Sequence, residues 1–110
     1  MAIAYYERAL KLNPGYAEAH GSLGNALFQK GEIDAAIMHY QKAIELEPGS
    51  ATAHYNLAVA LHRQGHLDEA IVYYRKVLAI QPDYPDARYF LNQALFQNGQ
   101  ADETKKDSKK

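Results

Sequence analysis

Apolar residues recur along this chain in steps of three and four. Ile33, Ala36, Ile37, Tyr40, Ala43 and Ile44 form one stripe, and Leu67, Ala70, Ile71, Tyr74, Val77 and Leu78 form another. That spacing puts each set on one face of an amphipathic helix. Ahead of each lies a second kind of stripe, Leu23, Gly24, Leu27 and Leu57, Ala58, Leu61, with small residues where two helix backbones must approach closely. The chain therefore reads as a series of helix pairs. No period-two alternation predicts a strand.

The pairs repeat. Ala2, Ala36 and Ala70 fall 34 residues apart, and so do Tyr6, Tyr40 and Tyr74, Pro14, Pro48 and Pro82, and Gly31, Gly65 and Gly99. Ala9, Ala43 and Val77 make a further column. A fixed period of this length is the signature of stacked units that bury their apolar faces against neighbours. Gly31 and Gly65 follow the first helix of a pair, where a left-handed residue closes the last turn without a Cβ penalty. Asp34 and Asp68 then place a carboxylate at the positive end of the second helix. Asn13-Pro14-Gly15, Glu47-Pro48-Gly49 and Gln81-Pro82-Asp83 end the second helices, because proline lacks the N–H and biases its predecessor away from helical geometry.

With Leu23-Gly24, Gly31, Ala36, Tyr40, Ala43 and Pro48 in one unit, and Leu57, Gly65, Ala70, Tyr74 and Pro82 in the next, the chain resembles the tetratricopeptide repeat family. The resemblance implies an all-α solenoid of stacked antiparallel helix pairs wound into a right-handed superhelix. On that reading the array runs over residues 1–98. Residues 1–16 are the second helix of a partial repeat, 17–50 and 51–84 are full repeats, and 85–98 are the first helix of another partial repeat. Residues 99–110 form a polar, lysine-rich tail, in which Lys105 and Ser108 stand where Ile71 and Tyr74 stand one unit earlier.

Composition narrows the function classes. With 12 Lys+Arg against 13 Asp+Glu, the formal charge of −1 gives no field that would gather phosphates or anionic lipid. Neither nucleic acid nor a membrane is expected as a partner. The absence of cysteine removes disulfide, thiolate-metal and thiol-nucleophile chemistry. No apolar run approaches the roughly 20 residues of a membrane span, and the start, Met1 to Arg8, lacks the charge-then-apolar order of a secretory signal. A soluble chain is expected, with the cytoplasm as its compartment.

Five histidines invite a metal or catalytic reading. His20 and His54 are repeat equivalents and read as packing between helices, whereas His39, beside Tyr40, reads as exposed. His62 and His66 have the four-residue spacing of a metal pair, but Gly65 breaks the shared helix face between them. Ser22, Ser50 and Ser108 have no acid–base relay to activate them. No enzyme activity, cofactor or metal is expected.

The resemblance implies that the first helix of each pair lines a concave groove. The groove residues are then Asn25, Phe28, Tyr55, Asn56, Val59, His62, Arg63, Tyr89, Phe90 and Gln93. Amides offer both a donor and an acceptor, so Asn25 and Asn56 can hold the backbone of an extended peptide, with the rings supplying apolar area. The expected partner is a protein or peptide. Some family members grip a terminal carboxylate with a basic clamp, and the two asparagines fall on two of its places. Gly21, Asp86 and Phe90 occupy the cationic ones, so the charged grip is not expected here. A second expectation is self-association, head to tail or by swapping, through Ile3, Tyr6 and Leu10 at one end and Leu91 and Leu95 at the other.

Overall fold

The computed structural model describes residues 2–99, and the Lys-rich segment 100–110 expected as a tail lies outside the described residues. Six helices follow one another: α1 (Ala2–Leu12), α2 (Ala17–Gln29), α3 (Ile33–Leu46), α4 (Ala51–Arg63), α5 (Leu67–Ile80) and α6 (Ala87–Gln97). Among the described residues there is no strand, and no helix is long and apolar enough to cross a membrane. The most extensive contacts join α2 to α3 and α4 to α5. Between these pairs α3 packs on α4, while α1 covers α2 at one end and α6 covers α5 at the other. The molecule is an all-α solenoid, 57 × 26 × 19 Å, elongated as stacking requires.

The turns inside the pairs are closed by backbone chemistry that only glycine allows cheaply. Gly31 and Gly65 have φ of 91° and 84°. After each, the next N–H reaches back to the carbonyl two residues before the helix's last, Glu32 to Leu27 and His66 to Leu61, both at 2.9 Å. The units are tied together by a bond that recurs with the repeat. Gln64 Nε2 donates to Asp34 Oδ1 at 2.6 Å, and Asn98 Nδ2 donates to Asp68 Oδ1 at 2.7 Å. In each case the residue after a first helix reaches the first turn of the preceding second helix.

Helix α6 starts two residues later than the 85–98 expectation. Pro85 restricts the residue before it, and Asp86 sits in the left-handed region at φ 66°, so the first helical residue is Ala87.

The main core is one seam, with a smaller cluster of Ala51, Val77 and Ala87 beside it. Leu23, Leu57 and Leu91 from the first helices meet Ala36, Tyr40, Ala70 and Tyr74 from the second ones. Tyr40 and Tyr74 are 2% and 0% exposed. The Tyr40 ring fills the space that Gly24 leaves open, and burial pushes its hydroxyl up to about 12, so it stays a neutral donor at physiological pH. Ala36, Ala43 and Ala70 are buried, as their place in the stripes implies.

Candidate functional site

Helix α2 buries Leu23 and Leu27 and thereby turns Asn25 outward, and α4 does the same for Asn56 by burying Leu57 and Leu61. The two amides stand on a pair of adjoining clefts. One, of about 230 Å³, is lined by Asn25, Phe28, Tyr40, Tyr55, Asn56, Val59 and Phe90. The other, of about 320 Å³, shares both asparagines and extends past Ser22, Ser50 and Thr52 to the carboxylates of Glu18 and Glu47. The first cleft is mainly apolar and the second mixed, polar and apolar in nearly equal parts, with the asparagines at the junction. Among the described residues no lysine, arginine or histidine lines either one.

The two amides are presented differently. The Tyr40 hydroxyl donates to Asn25 Oδ1 at 2.5 Å, which engages one of the two lone pairs of that oxygen and leaves the Asn25 NH2 free to donate. This bond depends on Gly24. A Cβ built there would lie 2.6 Å from Tyr40 Cε1, so the ring can approach α2 this closely only because the position is glycine. In the next unit Ala58 and Val59 replace Gly24 and Asn25, and Tyr74 pairs with His62 Nδ1 at 3.0 Å instead. Among the described residues Asn56 has no hydrogen-bond partner, so it keeps donor and acceptor both available.

Six of the ten expected groove residues converge on the apolar cleft: Asn25, Phe28, Tyr55, Asn56, Val59 and Phe90. The other four do not line either cleft. His62 is occupied on both nitrogens, by Tyr74 and by Gln97 Oε1 at 2.8 Å, and so acts as a brace joining α4, α5 and α6. Arg63 lies over the Phe28 ring with its Cζ 5.0 Å from the centroid, a cation–π contact between units. Tyr89 is turned out at 59% exposure, packed edge-on against Phe90 and bonded to Gln93 Nε2.

Of the expected self-association residues, Ile3, Tyr6 and Leu10 are half-buried on α2, whereas Leu91 and Leu95 are buried. These two leucines fall on the face of α6 that packs into the core with Ala94, so they offer no free edge. The most exposed large apolar side chain of that helix is Phe96, at 77%.

Among the histidines, the expectation of an exposed His39 is corrected. It is half-buried, because its ring stacks on His20 with centroids 5.4 Å apart. His20 and His54 do pack between helices, and each uses Nε2 to bond a turn carbonyl, Pro14 at 3.0 Å and Pro48 at 2.8 Å. Among the described residues no three His, Cys, Asp or Glu side chains group to hold a metal ion.

Two contributors escaped the sequence reading. Tyr40 lines the cleft as well as the core, and the signal was the pairing of the smallest residue, Gly24, with a tyrosine column. Tyr84 packs on Tyr55 at 4.9 Å and bonds Thr52 Oγ1 at 3.1 Å, fixing the outer rim. Its repeat equivalents Tyr16 and Ser50 hid it, since that column is not uniform. Burial, helped by Asp86 and Tyr84, holds the Tyr55 hydroxyl above its usual range.

Profiles of the TPR repeat match residues 1–31 and 24–65, and a tetratricopeptide repeat profile matches residues 51–84. No curated protein matches the sequence significantly. Among solved structures, two of MamA superpose with a TM-score of 0.87, at 29% and 34% identity, covering 92% of this chain. This chain spans 59% and 55% of their respective lengths. A Thermobaculum terrenum O-GlcNAc transferase matches at 31% identity and TM-score 0.79 over 84% of this chain and 18% of its own. The first TPR of Spaghetti (RPAP3), bound to an HSP90 peptide, shares the fold with TM-score 0.86 at 20% identity, over 88% of this chain and 77% of its own.

Gly24→Ala tests the geometry of the site. The displaced ring is expected to cost about 1–3 kcal/mol by overpacking, partly offset by up to about 1 kcal/mol of helix propensity. Tyr40 should then release Asn25. A net loss of stability in denaturant titration, with shifted Asn25 side-chain amide resonances, is the expected result. A more stable variant with unmoved resonances would show that the ring does not sit this close.

Proposed function

The chain belongs to the tetratricopeptide repeat family, and from that premise we propose that it is a non-catalytic protein-interaction scaffold whose paired clefts hold an extended segment of a partner polypeptide. The observation that carries this reading is the junction of the two clefts. A mainly apolar cleft meets one of mixed polarity there, with one amide oriented by Tyr40 so that its NH2 is free and the other free as both donor and acceptor. Asn25 would bond a partner carbonyl, and Asn56 both a carbonyl and an N–H, which fits a backbone in extended form. Phe28, Tyr55, Val59 and Phe90 would take an apolar side chain.

Charge selects the segment. Glu18 and Glu47 line the larger cleft and among the described residues no cation does, so a neutral or basic segment fits and an acidic terminus is repelled. Peptides selected from a random display library should accordingly be neutral or basic around an apolar anchor. In calorimetry, Asn25→Ala and Asn56→Ala should each weaken the best of them by roughly tenfold, the worth of one or two lost hydrogen bonds in a desolvated site. Selection of acid-terminated peptides, or undiminished binding by the double variant, would contradict the reading.

A second reading, head-to-tail association, is favoured by one observation. Tyr6 is only half-buried where its equivalents Tyr40 and Tyr74 are sealed, and Phe96 on α6 is open. Docking α1 of one copy on α6 of another would cover both. Light scattering should show a monomer at micromolar concentration and growing mass toward millimolar, abolished by Tyr6→Glu; mass independent of concentration rules it out.

A further inference from the structure

In the first helix pair, His20 of α2 and His39 of α3 face each other with their Nδ1 atoms 3.1 Å apart. His20 is 8% exposed, and its Nε2 is committed to the Pro14 carbonyl. The neutral ring can therefore offer only the lone pair of Nδ1, and His39 must supply the hydrogen from its own Nδ1. The second helix pair provides a built-in comparison. There the equivalent residues are His54 and Tyr73, whose rings stack at 5.9 Å; His54 Nε2 bonds Pro48, and its buried Nδ1 has no partner among the described residues. The architecture thus tolerates an unlinked pair at this place, and only the first unit joins two titratable rings through one hydrogen.

We propose that His20 and His39 form an acid-sensitive latch on the α2–α3 contact, which accepts one proton with its Nδ1–H···Nδ1 bridge intact and is opened by a second. The first proton enters at Nε2 of His39, on the half-buried ring, and leaves the bridge in place as a charge-assisted bond. The second must go to Nδ1 of His20. That would point two N–H groups at each other across 3.1 Å beside a buried ring whose other nitrogen already donates. The two sites therefore titrate as a coupled pair.

The groups that act on His39 come from two helices. Its own burial and His20 of α2 disfavour its charge, whereas the Glu7 carboxylate of α1 favours it, and the net effect lowers its affinity for protons. Lys42 on α3 is turned to Glu45 at 3.4 Å. On α4, packed against α3, His54 and His62 are bound to Pro48, Tyr74 and Gln97. Since folded His39 resists a proton that the unfolded chain takes up near pH 6.5, the unfolded state binds more protons in acid. Stability is then full above that pH and falls as the pH drops.

His39→Tyr rebuilds the arrangement of the second unit and removes the latch. Denaturant titrations from pH 7 to pH 5 should show the unfolding constant of the wild type rising about tenfold more than that of the variant, the effect of one unbalanced proton over one pH unit. Parallel curves would overturn the proposal. Nitrogen-resolved imidazole NMR on the wild type provides an independent readout should the variant fold poorly. Two separated steps shared by both rings are expected, the second delayed until α2 and α3 resonances change together. Two independent titrations near pH 6.5 without such changes would also overturn it.

Discussion

Each full unit of this solenoid is held closed by a buried tyrosine ring of its second helix. Tyr40 lies against Gly24, Tyr74 shares a buried cluster with Ala58, and both rings are almost fully removed from water. Burying a ring of this size is among the larger single contributions available to a small helical unit, but it brings a hydroxyl with it that must find a partner. That need shapes the rest. In one unit the hydroxyl goes to Asn25 and sets the polarity of the cleft; in the other it goes to His62, which passes the connection on to Gln97 of α6. A difference of one methyl group, Gly24 against Ala58, accompanies one unit that presents an amide and one that braces its neighbour.

A similar logic governs the histidines. The turns after α1 and α3 leave the carbonyls of Pro14 and Pro48 to be satisfied, and a buried imidazole from the following helix does so in both units. What remains free is Nδ1, and the residue at the place of His39 and Tyr73 decides whether it is matched. Repeats of the same fold thus vary at the second polar atom of a buried side chain while the first is kept.

The architecture was legible in the sequence because it rests on periodic quantities: the stripes, the glycines at positive φ, and the prolines at the ends of second helices. The cleft was legible in part. Asn25, Asn56, Phe28, Tyr55, Val59 and Phe90 follow from helix phase alone. His62, Arg63, Tyr89 and Gln93 share that phase but are drawn elsewhere by particular partners, which no periodicity encodes. Leu91 and Leu95 were misplaced for a related reason: the stripe identifies an apolar face but not whether a neighbour already covers it. His39 looked exposed from its own helix, and only the position of His20 across the pair shows otherwise. The start of α6 depended on one left-handed residue, Asp86, in a turn whose equivalents do not adopt that conformation.

If the tyrosine closures hold the structure together, protection should follow them. Native-state hydrogen exchange reports the free energy of local opening helix by helix. The slowest amides are expected in α4 and α5, where Tyr74 is sealed on both sides, with α2 and α3 next and α1 fastest, since its Tyr6 is only half-covered. Uniform protection from α1 to α6, or greater protection in α1 than in α5, would contradict the account.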